Sequence, residues 1–202
     1  MLGDDGKPFK TRSGGTIALA DLLAEAIGRA RAVVDDKSPE LSDAERARIA
    51  EIVGIGAVKY ADLSTSRQRD LLFSFERVLA LDGNTAPYLL YAYVRAAAIA
   101  DRAGHPAAAV TALSAPAEKA LTLKLTSFAD AISDVTTTLE PHRLCSYLYE
   151  LAGMYTSFYE ACPVLKAGTA EERSSRLALC ALTAATLETG LGLLGIRVPA
   201  RM

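Results

Sequence analysis

Helical hydrophobic periodicity dominates the chain, and the first stretch that shows it covers residues 17–36. Its apolar side chains recur three and four positions apart, as on one face of an amphipathic helix. A second helix is predicted after Ser42, which has the spacing of a capping box with Glu45. Gly54 and Gly56 lie inside this second helix, where a glycine costs about 1 kcal/mol relative to alanine. We therefore expect both glycines where another backbone packs closely against the helix.

The segment after this helix changes from polar to apolar before a cluster of turn residues. We predict a short extended piece around residues 72–75 and then a helix through Leu81. The next helix is predicted to begin at Pro87, because proline is favoured in a first helical turn and Asn84 is a cap-type residue just before it. Gly104 is expected to end this helix in the left-handed conformation that glycine tolerates.

The second half of the chain contains the longest amphipathic stretches. Residues 116–139 carry one continuous apolar stripe and are predicted to form a single helix. Residues 141–162 are predicted to form the next helix, which begins at a proline and stops before another. The last helix is predicted to begin with a capping box of Thr169 and Glu172 and to end at Gly195. Long amphipathic helices with short connections predict an all-α fold, an antiparallel helical bundle.

Three side chains of the predicted helix at Pro87 share one face, because Tyr88, Tyr91 and Arg95 are spaced three and four positions apart. Two interpretations remain open. Two phenol rings and a guanidinium on one face form a platform on which unpaired nucleobases stack. Alternatively, the tyrosines are core residues whose hydroxyls reach the surface, which is the common role of an aromatic stripe at helical spacing.

Composition and charge limit the partners of this sequence. Half of the 202 residues are apolar, which suits one domain, or one domain with part of another. The formal net charge is −2, so the chain as a whole does not attract nucleic acid, and RNA binding would depend on a local surface. No apolar run reaches the roughly 18 residues that would suggest a membrane span. We therefore expect neither a membrane nor DNA as a partner.

The three cysteines lie far apart and show no CxxC or histidine spacing. No zinc site is predicted, and we expect no metal ligands. An odd number of cysteines without a signal peptide is typical of reduced thiols in a cytoplasmic protein. We predict that Cys145, Cys162 and Cys180 are small buried apolar side chains.

Residues 1–16 form a glycine-rich basic segment that contains Lys10 and Arg12. Flexible glycines with cations suit a loop that closes over a polyphosphate and stabilises developing negative charge. The segment lacks the spacing of a P-loop, and a basic, glycine-rich terminus is also typical of a frayed chain end. Both interpretations remain open on these residues alone.

GNTAPYLLYAYVR at residues 83–95 resembles the opening of the DALR-type anticodon-binding domain of arginyl-tRNA synthetases, which are class I enzymes. Two further segments are similar to its central helix pair and its ending: LEPHRLCSYLYELAGMYTSFYEACPVL at 139–165 and LGLLGIRVPARM at 191–202. GKPFKTRSGGT at residues 6–16 is similar to the signature loop of class I synthetases.

The resemblance implies a domain division and a function. Residues 1–82 would be the C-terminal tail of the catalytic domain, with the signature loop and helices that contact the tRNA stem, and residues 83–202 the DALR-type domain. The chain would then be the tRNA-binding part of an arginine–tRNA ligase and would recognise the anticodon of tRNA(Arg). The implied contact residues are Tyr88, Tyr91, Tyr159 and Met202, to which the neighbours Asn84 and Arg95 are added. The tail departs from the family pattern at Ala200, where an acidic residue is common.

ATP and Mg²⁺ are implied as cofactors of the full enzyme, with Lys10 and Arg12 as the candidates that hold the ATP phosphates. No cofactor is expected for this chain alone. Its two histidines, His105 and His142, belong to no His-Ile-Gly-His type motif, so we expect that it does not activate arginine by itself. Its partners would be tRNA(Arg) and the missing catalytic domain, and the apolar surface which that domain normally covers would favour self-association.

A second hypothesis belongs to a different class of function. The chain would be a stand-alone helical module that no longer binds anticodons and uses its apolar stripes to bind a protein partner or a second copy of itself. Retention of the anticodon-type tyrosines and the terminal methionine favours the first hypothesis. Salt dependence distinguishes the two, because RNA binding weakens steeply with salt while apolar pairing does not.

Overall fold

Eight α-helices form the regular structure of the computed structural model, which describes residues 18–102 and 109–202. Their bounds are α1 (Leu19–Lys37), α2 (Asp43–Ser64), α3 (Phe75–Val78), α4 (Ala86–Arg102), α5 (Pro116–Thr126), α6 (Phe128–Thr138), α7 (Pro141–Ala161) and α8 (Ala170–Leu193). Within the described residues, the extended piece predicted at 72–75 is reduced to a single bridge residue, Leu72. The prediction of an all-α fold is confirmed.

The capping box predicted for α2 is confirmed. The backbone N–H of Glu45 donates to the Ser42 hydroxyl at 3.3 Å, and the backbone N–H of Ser42 donates to the Glu45 carboxylate at 3.1 Å. Two of the N–H groups that a helix start leaves unpaired are thereby satisfied. The sequence alone is sufficient to predict this capping box, because Ser42 and Glu45 lie within one helical turn of each other.

The glycines of α2 lie at close contacts. A Cβ atom on Gly54 would lie 2.7 Å from the backbone Cα of Ile27 on α1, which is closer than two carbon atoms can approach. A Cβ atom on Gly56 would lie 3.2 Å from the side chain of Ile196. The expected approach of a second backbone is therefore confirmed for Gly54, while the neighbour of Gly56 is a side chain.

The predicted helix through Leu81 is wrong in length. α3 has only four residues and ends at Val78. The chain then turns through Gly83, which has a φ of 71°, and the Thr85 hydroxyl donates to the carbonyl of Ala80 at 2.8 Å. Leu81 is exposed, so no apolar contact favours continuation of the helix. α4 then begins with Pro87 in its first turn, as predicted, and the expected end at Gly104 lies outside the described residues.

The single helix predicted for residues 116–139 is wrong, because two helices, α5 and α6, meet at Ser127. The Ser127 hydroxyl donates to the carbonyl of Lys124 at 2.9 Å, and the Tyr147 hydroxyl on α7 donates to the same carbonyl at 2.7 Å. Both bonds occupy the carbonyl oxygen that would accept from the Phe128 N–H in a continuous helix, so they compete with the helical ladder at this point. Leu139, the last residue of the predicted stripe, has a φ of 55° and is 69% exposed.

The last two long helices follow their predicted stripes. α7 and α8 pack antiparallel, since Leu148 lies beside Gly190 and Tyr155 lies beside Cys180. The buried apolar stripes are Leu144, Leu148, Leu151, Tyr155 and Phe158 on α7, and Leu177, Cys180, Ala184, Leu187 and Leu191 on α8. These stripes form the centre of the main core, to which α1, α2 and α4 also contribute.

The predicted capping box of α8 forms only in part. The Thr169 hydroxyl accepts a hydrogen bond from the backbone N–H of Glu172 at 3.1 Å. The Glu172 carboxylate does not return to Thr169 but accepts a hydrogen bond from the Ser114 hydroxyl at 3.0 Å. Ser114, in the chain segment before α5, therefore takes the place of Thr169 as the partner of the Glu172 carboxylate. At the other end of α8, Gly195 follows the helix with a φ of 70°.

α8 is also the described helix whose length and apolar composition would suffice to cross a membrane. Within the most apolar window, 56% of the residues are buried inside the protein. A helix at the centre of a bundle has this composition because its neighbours cover it on several sides.

A buried ion pair connects α5 to α8. Arg176 Nε donates to the Glu118 carboxylate at 2.6 Å, and the two side chains are among the few charged groups in the core, with Glu118 1% and Arg176 8% exposed. Glu118 also accepts from the backbone N–H of Ala115 at 2.8 Å, and Arg176 donates to the carbonyl of Pro163 at 3.1 Å. Three chain segments therefore meet at this pair: the start of α5, the turn after α7, and α8.

All three cysteines are buried and none forms a disulfide, so the prediction of buried apolar thiols is confirmed. Burial raises the pKa of the Cys145 and Cys180 thiols to about 12. A thiol that stays protonated at neutral pH is a poor nucleophile and a poor metal ligand.

Candidate nucleic-acid interface

The predicted aromatic face lies where α4 and α7 pack side by side. The rings of Tyr88 on α4 and Tyr149 on α7 make an edge contact with centroids 5.7 Å apart. Further along both helices, Arg95 on α4 contacts Tyr159 on α7. Because residue numbers increase together, the two helices run parallel at this contact. We call Tyr88, Tyr91, Arg95, Tyr149 and Tyr159 the tyrosine seam.

Arg95 bridges two exposed rings of the tyrosine seam. Its guanidinium carbon lies 4.6 Å from the ring centroid of Tyr91 and 4.9 Å from that of Tyr159. Tyr91 is 45% exposed and Tyr159 is 42% exposed. A cation over an aromatic face contributes roughly 0.5–1 kcal/mol at an exposed site. The arginine therefore fixes two rings from different helices while leaving ring surface open to solvent.

The two interpretations of the tyrosine stripe each apply to a different residue. Tyr88 is half-buried and packs against the main core, and its ring is in an edge contact with that of Tyr149. Tyr91, one turn later, has the exposed ring. The packing interpretation therefore describes Tyr88 and the platform interpretation describes Tyr91.

Asn84 lies at the entrance of α4 and is held by a buried tyrosine. The Tyr60 hydroxyl lies 2.6 Å from Asn84 Oδ1 and 3.0 Å from the carbonyl oxygen of Cys145. Burial raises the pKa of Tyr60, which keeps its hydroxyl protonated as a hydrogen-bond donor. α2, the start of α4 and α7 are thereby joined at one point beside the tyrosine seam.

The C-terminal tail, residues 194–202, runs back along α2 and places Met202 half-buried against the main core. Lys59 Nζ donates to the carbonyl of Gly195 at 2.7 Å, and Arg197 pairs with Glu51 at 2.7 Å. Arg201 pairs with Glu45, the residue that caps α2. Hydrogen bonds from Ser42 and Arg201 lower the pKa of Glu45 to about 2, so this carboxylate stays charged at neutral pH.

Tyr149 was missed by the sequence analysis although it belongs to the tyrosine seam. A signal was present: Tyr149 and Tyr159 each follow a buried stripe residue of α7, Leu148 and Phe158, by one position. Residues one position after a stripe lie at its border, about 100° around the helix. Both rings therefore emerge at the same border of the buried face, which α4 lines with its own tyrosines.

The proposed phosphate ligands Lys10 and Arg12 lie outside the described residues. Among residues 18–102 and 109–202, no group of three or more His, Cys, Asp and Glu side chains has an arrangement that suits a metal ion. The features that suggest a ligand in this part of the chain are therefore aromatic and cationic.

The sequence profile of the DALR anticodon binding domain matches residues 89–202. The chain belongs to the DALR anticodon-binding domain family. In this DALR protein, residues 1–75 match a second profile, the catalytic domain of class I (R) tRNA synthetases. The DALR profile contains four of the five residues of the tyrosine seam and Met202, whereas Asn84 and Tyr88 lie just before it. The domain boundary predicted between residues 82 and 83 stays a prediction.

Curated relatives of the DALR protein are arginine–tRNA ligases. The chain is 53% identical to the enzyme of Cellvibrio japonicus over 206 aligned residues and 55% identical to that of Frankia casuarinae over 204. In both comparisons all of the chain is matched, but only 36% and 34% of the relative. The chain thus spans about a third of the length of the curated relatives that it matches.

Solved structures of arginyl-tRNA synthetases are also similar to this chain. The arginyl-tRNA synthetase of Thermus thermophilus superimposes with a TM-score of 0.89 at 32% identity, over 100% of the DALR protein and 34% of the synthetase. That of Plasmodium falciparum gives a TM-score of 0.81 at 28% identity, over 92% and 34% respectively. The helical arrangement described above is therefore similar to that in solved synthetases.

Proposed function

We propose that this chain is the tRNA-binding part of an arginine–tRNA ligase and recognises the anticodon of tRNA(Arg). The observation that supports this most directly is the tyrosine seam, where two half-exposed rings and a guanidinium lie together within the segment that matches the DALR profile. Its curated relatives carry the name arginine–tRNA ligase, which supports the same amino acid specificity.

Stacking explains how a net-acidic chain binds RNA. Bases of an anticodon loop are unpaired and can turn outwards to meet aromatic side chains. Each base stacked on a ring contributes roughly 1–3 kcal/mol. Tyr91 and Tyr159 offer open ring faces for this contact. Because the formal net charge is −2, binding would depend on this local surface rather than on general attraction to phosphates.

The remaining candidate residues have supporting roles in this proposal. Tyr88 orients the seam through its contact with Tyr149, and Asn84 presents a polar side chain at the start of α4. Met202 would fill the space beside a base with a flexible, polarizable side chain at the end of the docked tail.

The wider enzyme is part of the proposal. Arginylation needs the catalytic domain as a partner, and in the full enzyme ATP and Mg²⁺ would be bound largely there, with Lys10 and Arg12 contacting the ATP phosphates. This chain contributes RNA binding and positioning of the tRNA, in the cytoplasm. Apolar side chains exposed on α1, such as Leu19 and Val33, suit contact with that domain and would favour self-association without it.

Replacing Tyr91 by alanine is expected to weaken binding to tRNA(Arg) by roughly 5- to 150-fold, because one stacked base loses its ring. Tyr91→Phe should bind nearly as well as the unchanged protein, since the ring face rather than the hydroxyl makes the contact. The measurement is the dissociation constant of the chain for tRNA(Arg) and for the same tRNA with a changed anticodon, at one stated low salt concentration.

Leu123→Ala is the matched control, because Leu123 is an exposed apolar residue on α5, which does not contribute to the seam. It should leave the affinity unchanged. Equal binding of both tRNAs by the unchanged protein, or a Tyr91→Ala variant that binds as well as Tyr91→Phe, would contradict the proposal. Dimerisation that rises with concentration, without tRNA binding, would favour the protein-binding alternative.

A further inference from the structure

Residues 197–202, the end of the C-terminal tail, are held on α2 by side chains alone. We call them the strap. Arg197 pairs with Glu51 at 2.7 Å, and Arg201 pairs with Glu45. No hydrogen bond between described residues involves the backbone of the strap. Regular structure therefore does not fix its position, which depends on the two ion pairs and on apolar contacts.

Both ion pairs of the strap are exposed to water. The side chains of Arg197 and Glu51 are 63% and 48% exposed, and those of Arg201 and Glu45 are 59% and 44% exposed. An exposed ion pair contributes little stability, because water solvates both partners and dissolved salt screens their attraction. We therefore expect the strap to be held less firmly at high salt than at low salt.

The packing beneath the strap is incomplete. A cleft of about 160 Å³ lies between α2 and the strap, with Ile49 and Ile52 on one side and Val198 and Pro199 on the other. Where side chains do not fill the space, the dispersion contacts that would hold the strap down are lost. The strap is therefore attached to α2 at separate points and not along its whole length.

The carboxylate of Glu45 connects the strap to the start of α2. Its Oε2 atom accepts hydrogen bonds from the backbone N–H of Ser42 at 3.1 Å and from the Ser42 hydroxyl at 2.7 Å. Its Oε1 atom accepts a hydrogen bond from Arg201. Because Arg201 restricts the rotation that would turn Oε2 away from Ser42, the closed strap and the cap of α2 require the same conformation of one side chain.

We propose that the strap is a conformational device that opens and closes on α2 as one unit, and that Glu45 couples its closing to the capping of α2. The strap and α2 lie on opposite sides of the domain boundary predicted between residues 82 and 83, so the closed strap fastens the two parts together. Opening exposes Ile49 and Ile52 to water and frees Met202. Neither state involves RNA, so failure of the proposed function would leave the strap standing.

Digestion of the unchanged 202-residue chain by a carboxypeptidase measures the opening, because the half-buried Met202 is released only from an open strap. A synthetic peptide of residues 194–202 gives the rate for an unattached chain end and corrects for the effect of salt on the carboxypeptidase. At low salt the protein should lose Met202 more slowly than the peptide, and this difference should shrink as the salt concentration rises. Equal rates at low salt would overturn the proposal, because the strap would then never be closed.

Glu45→Gln leaves the sequence of the strap unchanged and keeps a residue that suits a capping box, but it removes the charge that pairs with Arg201. At low salt it should release Met202 roughly 2- to 5-fold faster, the factor expected for the loss of one exposed ion pair. Glu40→Gln is the matched control, because Glu40 is exposed and has no side-chain partner in the described residues. Equal release from the two variants would contradict the role of Glu45.

Arg197→Gln tests whether the strap moves as one unit. Arg197 lies at the opposite end of the strap from Met202, and its loss should still accelerate the release of Met202 by roughly 2- to 5-fold. The reference is a peptide of residues 194–202 with the same change. A rate equal to that of the unchanged protein would mean that the two ends open separately, which would overturn the proposal of a single unit.

Arg201→Gln tests the coupling to α2, because it leaves Ser42 and Glu45 in place. The Ser42 backbone N–H, which donates to Glu45, should exchange with solvent roughly 2- to 5-fold faster in this variant, as measured by NMR. Arg173→Gln is the control, since Arg173 is an exposed residue of α8 whose side chain has no partner in the described residues. An unchanged exchange rate in Arg201→Gln would reject the coupling. Thermal unfolding of each variant shows that the fold is intact.

Discussion

Replacing Arg176 by methionine is expected to lower the free energy of unfolding by about 3–5 kcal/mol, because it leaves the Glu118 carboxylate charged and buried without its partner. Glu118 is 1% exposed, so water cannot take the place of the guanidinium. The variant also loses the hydrogen bond from Arg176 to the carbonyl of Pro163. Denaturant unfolding at neutral pH measures the loss.

The free energy of unfolding of Arg176→Met should depend on pH differently from that of the unchanged protein. Burial raises the pKa of Glu118, but hydrogen bonds from Ala115 and Arg176 more than offset it, so the pKa lies below its ordinary value of 4.5. The stabilisation from this carboxylate is complete above pH 4.5 and is lost as the pH falls through its lowered pKa. Without Arg176, the pKa of Glu118 should rise from its present value, because the hydrogen bond and the charge of that arginine no longer lower it. Protonation then relieves the buried charge, so the deficit of the variant should shrink as the pH falls towards 4.5.

Two further variants make this prediction specific. The double variant Glu118→Gln with Arg176→Met should recover most of the loss, because no uncompensated charge remains in the core. Arg197→Met removes an ion pair of similar length, 2.7 Å, whose side chains are more than 45% exposed, and should cost less than about 1 kcal/mol. An Arg176→Met variant no less stable than Arg197→Met would contradict the argument.

The parts of the fold that could be predicted from sequence are those in which the deciding partners lie close together along the chain. The start of α2 depends on Ser42 and Glu45, which are three residues apart. The bounds of α1, α7 and α8 follow from sustained apolar stripes that end at prolines, glycines or polar residues. The division at Ser127 depends on a hydrogen bond from Tyr147 on another helix, and no local pattern contains that information.

The candidate site was predictable to the same extent. Tyr88, Tyr91 and Arg95 share a face because of their spacing on one helix, and that could be predicted. Which of the two rings is exposed depends on where α7 lies, and so does the contact of Arg95 with Tyr159. The position of Tyr149 at the border of the α7 stripe could be read from sequence, but its contact with Tyr88 depends on the parallel packing of α7 against α4. The α8 cap likewise exchanges its local partner for Ser114, which lies 58 residues from Glu172.

Gly54→Ala is expected to lower the free energy of unfolding by about 1–3 kcal/mol or more, although alanine is the better helix former. The added Cβ would lie 2.7 Å from both the Cα and the backbone nitrogen of Ile27, and 2.9 Å from the carbonyl carbon of Ala26. These are backbone atoms of α1, so no side chain can rotate to make room. α1 would have to move away from α2 along the whole contact, which also exposes the small apolar cluster that includes Leu22 and Ala57.

Gly28→Ala is the matched control on the opposite helix of the same pair. A Cβ at Gly28 meets nothing within 4 Å, so this substitution should stabilise the protein by about 0.4–1 kcal/mol through the loss of chain freedom in the unfolded state. If Gly54→Ala lowers the free energy of unfolding and Gly28→Ala raises it, the effect at Gly54 comes from the helix contact and not from helix propensity. If both variants were stabilised, α1 and α2 would not pack as closely as the structure has them. Thermal and denaturant unfolding of the two variants side by side measures the difference.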